Sequence, residues 1–508
     1  MAATTALLLT ATAGLAEPKY RLVITDARGD RGMLAPYVHG KNGISYLYTS
    51  YVFDTLLSQA KNGQLARGLA RRWTLSKDGL SCDIYMDMRA SWHDGKPVTA
   101  GDAAFTFRYM REHPYVFAST ENVKSAEVLS ADHLRLTLKQ PDAGLLTGLL
   151  LSMPVLPKHV YQSVEEPQRF AEAIAATGSG PYRLAGYNKA RGRYLLEENL
   201  DYYLGKPKFH RIAIVKMSTD AALREAQAEG IDVISYLPPE RLEQGKAIGL
   251  NVVKFLSHHI VRLGFDHSGL FKVKALRQAL AYAIDRKSIV ETVFQDTAEV
   301  AETGFFQTGS PWRSQAVHPS YTYDPQRAAG LFLGEGWTKD RDGNWYNNGE
   351  QVTLRLIASK RESNIAKVLA EQLEAFGIQM DVRVLERAAL QDSSIGGKYD
   401  IALYASSTLG DSNGILRRVF GKKWSSDRYD GKMLKALAMA QALATTTQTR
   451  KGNLDNFQAL YAEELPAYAI ANPYMVTAYN DKLSGLQFMP GGVAIGVPSA
   501  LHKSYLVD

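Results

Sequence analysis

The sequence predicts an α/β protein built from more than one domain. Three observations predict it. Short strand-like runs alternate with helical ones along the whole chain, the pattern of helices layered on sheets. At 508 residues the chain exceeds what a single hydrophobic core organises. A hydrophobic content of 45% with 22% charged residues is ordinary for a soluble globular protein, and no repeat or low-complexity linker interrupts it.

The chain opens with an uncharged apolar run, Ala2 to Leu15, followed by Ala16-Glu17-Pro18. A bilayer span needs about 20 such residues, so this run is too short to cross one. It matches the apolar region of a signal peptide, with Gly14 and Ala16 at the −3 and −1 positions of a cleavage before Glu17. The basic residues that normally precede that region are missing. The expectation is a signal-peptide remnant over residues 1–16 and export. No cysteine follows the leader, so the expected product is periplasmic and not lipid-anchored. Cys82 is the sole cysteine, which leaves no disulfide framework and no thiolate metal cluster.

Lys19 to Thr25 reads as a short strand, and Tyr46 to Leu57 as a helix with Leu47, Tyr48, Tyr51, Val52 and Leu56 on one face. Strand-like Cys82 to Met88 leads into Thr99, a natural N-cap with Asp102 three residues on, so a capped helix is predicted over Ala100 to Glu112. Val128 to Lys139 alternates as a hairpin strand, Leu145 to Leu151 is an apolar buried segment, and Pro154 to His159 starts a short helix. The glycine-proline turn Gly178-Ser179-Gly180-Pro181 admits strands Tyr182 to Tyr187, Arg193 to Glu198 and Arg211 to Met217. A helix from about Asp220 ends at Gly230, which suits a C-terminal cap.

His258 to Asp266 has the period of a strand, and Val273 to Val290 that of one long helix with Leu276, Ala279, Leu280, Ala283 and Ile284 as its core stripe. Tyr323-Asp324-Pro325 caps a helix ending near Gly334. The turns Asp342-Gly343-Asn344 and Asn348-Gly349 punctuate a strand-turn-strand unit, helix Ile365 to Phe376 stops at Gly377, and strand Ile378 to Val384 follows. Tyr399 to Tyr404 is a buried strand. Helices Met433 to Ala444 and Leu454 to Glu464 occupy the last third.

Catalytic patterns are absent. No P-loop, His-Glu-x-x-His or Gly-x-Ser-x-Gly occurs, so neither an enzyme nor a cofactor is expected. The 11 histidines are scattered except His258-His259, whose side chains on a strand would face opposite ways and not chelate one ion. His93 and Asp94 read as turn residues. The net charge of +7 arises from 59 basic against 52 acidic residues with no basic block, which excludes nucleic acid as the expected partner.

Four blocks carry a resemblance. They are Trp92-His93-Asp94-Gly95-Lys96-Pro97-Val98-Thr99-Ala100; Gly178-Ser179-Gly180-Pro181-Tyr182 with Asn199 to Pro207 and Gly230-Ile231-Asp232; Val273 to Val290; and Tyr323-Asp324-Pro325 through Gly336-Trp337. In this order and spacing they resemble the peptide/nickel/opine class of solute-binding proteins of ABC transporters. One departure is Trp92, where the family has phenylalanine. The resemblance implies a type II periplasmic-binding-protein-like α/β fold with two lobes, a hinge and three domains. Domain I would comprise 17–48, 178–264 and 484–508, domain II 49–177, and domain III 265–483. It implies a monomer that captures a small peptide or peptide-like solute and delivers it to an inner-membrane permease with its ATPase. A nickel chelate, metallophore or opine is the alternative cargo, and a ligand receptor or chaperone on the same fold the alternative role.

The expected ligand site lies beyond the carboxyl end of the Tyr399 to Tyr404 strand, where open α/β sheets place ligands. Tyr404 ends that strand, a small-polar loop Ala405 to Gly414 follows, and Asp411 and Asn413 lie in it. In peptide-binding members that the chain resembles, an aspartate of this loop grips the ligand's α-amino group, and Asp411 takes the matching position. Asp411 reads equally as a turn residue or as the N-cap of a helix over Asn413 to Phe420. Arg262 stands where the family has an apolar residue or tyrosine and suits a carboxylate, with a salt bridge to Asp266 as an equal alternative. Arg417 and Arg418 are further carboxylate clamps; helical spacing lets only one face the cleft, and Arg418 is the candidate kept. Ala405-Ser406 replaces a tryptophan common in the family, which removes an aromatic wall.

Overall fold

The strand-forming runs come together in one large mixed sheet. The computed structural model describes residues 21–27, 29–40, 43–60, 64–256, 259–316, 319–406, 412–420, 429–480 and 483. Across the sheet the strands follow the order Gln379–Leu385, Thr353–Ser359, Ile401–Ser406, Ile260–Phe265, Ala467–Tyr479, Val233–Ile234, Arg21–Thr25, Arg211–Val215, Arg193–Glu198, Tyr182–Asn188. Asn251–Leu256 and Ala298–Val300 pair off this path, both against Ala467–Tyr479.

That long strand joins two lobes. Its first half pairs antiparallel with Ile260–Phe265 and Ala298–Val300, its second with Asn251–Leu256 and Val233–Ile234. Each half of the sheet packs its own helices, and the buried apolar clusters divide accordingly. One gathers Leu22, Tyr48, Tyr182 and Ile212, and another Leu263, Leu280, Leu369 and Leu403. A third core, built on the separate sheet Ala70–Leu75, Ser81–Met86, His133–Leu138, Val123–Ser130 and the helix Ala100–Glu112, is continuous with the first lobe through Tyr46, Leu56, Tyr202 and Tyr203.

Several expected elements form as read. Thr99 and Asp102 close a capping box, the Thr99 amide donating to Asp102 Oδ2 at 2.9 Å, and the helix spans Ala100–Glu112. Asp324 caps Pro325–Gly334 by accepting from the Arg327 amide, and Gly377 takes a left-handed φ of 105° after Ser363–Phe376.

Others differ for local reasons. The long helix breaks in two, Lys274–Ala283 and Arg286–Phe294, because Ile284 is extended and Asp285 caps the second helix through the Ser288 amide. The Tyr46 to Leu57 reading covers only the end of a helix spanning Gly43–Thr49, and Leu57 opens a strand. Val128 to Lys139 is the turn and second arm of a hairpin made by Val123–Ser130 and His133–Leu138. The helix Thr219–Gln227 stops with Glu229, not Gly230, in the left-handed region, at φ 59°. The expected leader over 1–16 and the C-terminal segment 484–508 lie outside the described residues.

The Gly178 turn is a junction. Its Ser-Gly-Pro sequence lies against the backbone of residues 51–52, where Gly180 N donates to Val52 O at 2.8 Å and Tyr182 N to Tyr51 O at 3.1 Å. A Cβ on Gly178 would lie 1.9 Å from Val52 O, so the close approach of the two backbones demands glycine. His93 holds the turn from the other side. Its amide donates to Gly178 O at 2.8 Å, and its ring contacts Gly178 N and Gly180 O at 3.3 and 3.0 Å. His93 is therefore a structural residue that ties the smaller sheet's domain to the first lobe. Asp94 turns away to His159, 2.7 Å off.

Candidate functional site

Every residue of the Ile260–Phe265 strand is buried, since it has a paired strand on each side. Within it Arg262 is the one charged side chain, only 3% exposed, flanked in register by Tyr404 and Ala469. Its guanidinium donates to Ser406 Oγ and to the Phe305 carbonyl, each at 2.6 Å, and lies 4.7 Å from the centre of the Phe305 ring. Nε is buried without a hydrogen-bond partner. No carboxylate lies within 4 Å of Arg262 among the described residues. Removing a guanidinium from water costs several kcal/mol, and an anion is the usual compensation.

The salt bridge to Asp266 does not form. Four residue steps of extended chain separate the two by about 13 Å, beyond the reach of a shared ion pair. Asp266 instead accepts from the amide and hydroxyl of Ser268 at 3.1 and 2.8 Å. Two other buried arginines show what a structural role looks like. Arg277 donates to the carbonyls of Phe271, Lys272, Glu464 and Leu465, and Arg286 to those of Ala301, Ala469 and Ser320. Burial lowers the pKa of both.

Asn472 is another of the buried side chains with unsatisfied polar atoms, and it lies in the strand that pairs with Arg262's own. It sits in the Ala467–Tyr479 strand opposite Glu299, where the strand passes between lobes, and is 1% exposed. Neither its amide nitrogen nor its oxygen has a hydrogen-bond partner. A buried amide left in this state costs on the order of 1–3 kcal/mol.

Of the other expected site residues that are described, Tyr404 stays with Arg262 and Asn413 does not. Tyr404 is half-buried beside Arg262 in register. Asp411 and the side chains of Arg417 and Arg418 lie outside the described residues; the backbone of the two arginines belongs to the helix Gly414–Phe420. Asn413 is engaged elsewhere, donating to Asp142 Oδ1 at 2.8 Å and accepting from Gln441 Nε2 and Arg450 at 3.2 and 3.1 Å. Ser406, Phe305, Asn472, Gln441 and Arg450 escaped the sequence reading. A signal for two of them was present. Arg450 precedes Leu454, Phe457 and Tyr461 on one helical stripe, and Gln441 continues Leu434 and Ala438, so both are polar residues at core positions.

No group of three or more His, Cys, Asp or Glu side chains among the described residues is placed to hold a metal ion. No helix among them is long and apolar enough to cross a membrane.

The comparisons with known proteins agree with this architecture. The oligopeptide-binding protein AppA of Bacillus subtilis is 27% identical over 464 residues, covering 87% of this chain and 84% of that protein. Di/tripeptide-binding protein 1 of Pseudomonas aeruginosa is 24% identical over 489 residues and covers 87% of each. Among solved structures, NikZ from Campylobacter jejuni in complex with Ni(L-His) matches with a TM-score of 0.80 at 25% identity, over 94% of this chain and 98% of that one. AppA from Bacillus subtilis in complex with a nonapeptide matches with a TM-score of 0.76 at 22% identity, over 93% and 96%. The model of the bacterial extracellular solute-binding proteins, family 5, matches residues 64–427, most of the chain, and the protein belongs to that family.

Proposed function

We propose that this protein captures a peptide or peptide-like solute bearing a carboxylate in the periplasm and delivers it, as a monomer, to the permease and ATPase of an ABC importer. The observation that carries the reading is Arg262, a buried guanidinium with a free Nε and no carboxylate beside it among the described residues. A ligand carboxylate would supply the missing anion through a charge-assisted pair. Asn472 offers an amide that suits a peptide bond, which both donates and accepts. Asp411 remains our candidate for the ligand's ammonium end, Tyr404 for a contact beside Arg262, and Arg418 for a second clamp.

We further propose the three-domain division, with domain II over 49–177 and domain III starting at 260 in place of 265. Support comes from the pairing of Ile260–Phe265 with Ile401–Ser406 and with the first half of Ala467–Tyr479, the half that belongs to the second lobe. The reading is tested by releasing the retained solute from purified protein and weighing it. A peptide or amino-acid derivative with a free carboxylate is expected; a lipid or nucleotide would refute it. A nickel chelate is the second reading, favoured by the likeness to NikZ with Ni(L-His). A chelate's carboxylate would satisfy Arg262 equally, and elemental analysis of the same released fraction separates the two.

A further inference from the structure

The loop Pro141 to Gly144 leaves the four-stranded sheet of the first lobe and meets the second lobe on helices Lys432–Ala442 and Thr447–Glu464. Three hydrogen bonds cross between the lobes there. Asn413 Nδ2 donates to Asp142 Oδ1 at 2.8 Å, Arg450 Nη1 to the Ala143 carbonyl at 2.7 Å, and the Ala143 amide to the Ala442 carbonyl at 2.8 Å. Behind them the network is closed and buried. Arg450 lies over the Trp312 ring at 4.6 Å and also donates to Gln441 Oε1, which accepts from Ser412 Oγ. Gln441 and Ser412 are fully buried and Arg450 is 4% exposed.

Gly144 is the telling residue. Its φ of −92° and ψ of −1° are open to any L-residue, so its own backbone gives no reason for glycine. A Cβ there would lie 2.3 Å from Asn413 Nδ2 and 3.0 Å from Asn413 Cγ, atoms of the opposite lobe, and 3.2 Å from Asp142 Oδ1 in its own loop. The two closest of these contacts exist only while the lobes touch.

From this we infer that Asp142, Ala143, Asn413, Gln441 and Arg450 form a latch that holds the two lobes shut, and that Gly144 is glycine to let it engage. The latch is set by contacts between lobes and holds them together with or without solute. It goes beyond the transport reading and does not depend on which solute is bound.

The test measures the distance between lobes by pulsed electron resonance, with spin labels on Lys124→Cys and Lys435→Cys, which are exposed on opposite sides of the contact. Unlabelled Cys82 is buried and stays silent. Protein stripped of solute should show a dominant short distance. Gly144→Ala should move at least half of that population to a longer one while leaving the thermal midpoint of the protein unchanged. Asn413→Ala should open the lobes as well, and adding Gly144→Ala to it should produce a much smaller further shift, because the nearest side chain it would strike is gone and only the milder contact with Asp142 Oδ1 is left. A wild type found only at the long distance overturns the latch, as does a Gly144→Ala distribution identical to wild type. A Gly144→Ala shift of equal size in both backgrounds overturns the assigned collision. Loss of the carboxylate reading for Arg262 would leave all of these results standing.

Discussion

Replacing Arg262 by methionine should make the empty protein more stable and the binding protein worse. Methionine fills much of the same volume and leaves no charge in the sheet. The substitution removes hydrogen bonds to Ser406 Oγ and the Phe305 carbonyl, both 2.6 Å long. Losing those partners costs about 1–3 kcal/mol each, at the low end for Ser406, whose hydroxyl can turn. Against this stands the desolvation of a guanidinium with no carboxylate beside it among the described residues, several kcal/mol. Exchanges of buried charges for apolar residues have stabilised proteins by about 1–4 kcal/mol. We expect a net gain of about 1–2 kcal/mol, or about 2–4 °C in Tm per kcal/mol for a lobe of this size. Binding should move the other way. Truncating one partner of a buried charge pair costs about 2–5 kcal/mol, so Kd should rise at least about 25-fold. Scanning calorimetry on stripped protein gives the first quantity and titration calorimetry with the released solute gives the second. A Tm that falls, together with an unchanged Kd, would place Arg262 with Arg277 and Arg286 as a framework residue.

Further outcomes follow from the framework. Gly178→Ala puts a Cβ 1.9 Å from Val52 O, and two backbones must part, so the folded yield and the urea midpoint should both drop sharply; a normal midpoint would refute the close approach. His39, His93 and His267 are each held down to a pKa of about 4 from 6.5, chiefly by burial. A depressed histidine pKa means the unfolded chain binds more protons between the two values. Stability is therefore complete above pH 6.5 and declines as pH falls towards 4, by up to about 1.4 kcal/mol per pH unit for each ring. Urea midpoints measured across that window should slope this way, and His93→Gln should flatten the slope. Burial, with the neighbouring Asp83 charge second, pushes the Cys82 thiol up to about 12. Iodoacetamide at pH 8 should leave it unmodified in the native protein and alkylate it in urea, as read by mass.

The fold was legible where the deciding physics is local. The capping box at Thr99 and Asp102, the Asp324 cap, the Gly377 stop and the Asn348-Gly349 turn each need only residues a few positions apart. The break at Ile284-Asp285 was missed because the apolar stripe runs through it unbroken. Asp285 reads as an ordinary exposed position until its side chain is seen to cap the following helix. The division into lobes was legible only through the family resemblance. It is set by Ala467–Tyr479, which pairs with strands more than 170 residues away in sequence, and no window of sequence contains that information.

The site was half legible, and the reason lies in which stripe a polar residue occupies. Arg262 was singled out because the family it resembles has an apolar residue or tyrosine there; its strand carries a second signal, since a charge among Ile260, Val261, Leu263 and Phe265 has no solvated face. Arg450 and Gln441 carried the same signal in helical form. Yet burial of a polar group does not by itself mean function, because Arg277 and Arg286 are just as buried. The distinguishing quantity is what the group touches. Arg277 reaches four backbone carbonyls, a set that a single conformation fully determines. Arg450 reaches across to Ala143 on the other lobe, so its satisfaction changes when the lobes part. Arg262 keeps a buried N–H in reserve even with the lobes together. Complete satisfaction within one lobe marks framework, and satisfaction across lobes marks the contact between them. Incomplete satisfaction alone decides nothing, since Trp92 Nε1 and Arg183 Nε share it in the first lobe; at Arg262 it is joined by a charge with no carboxylate beside it among the described residues, and the two together support the proposed solute contact.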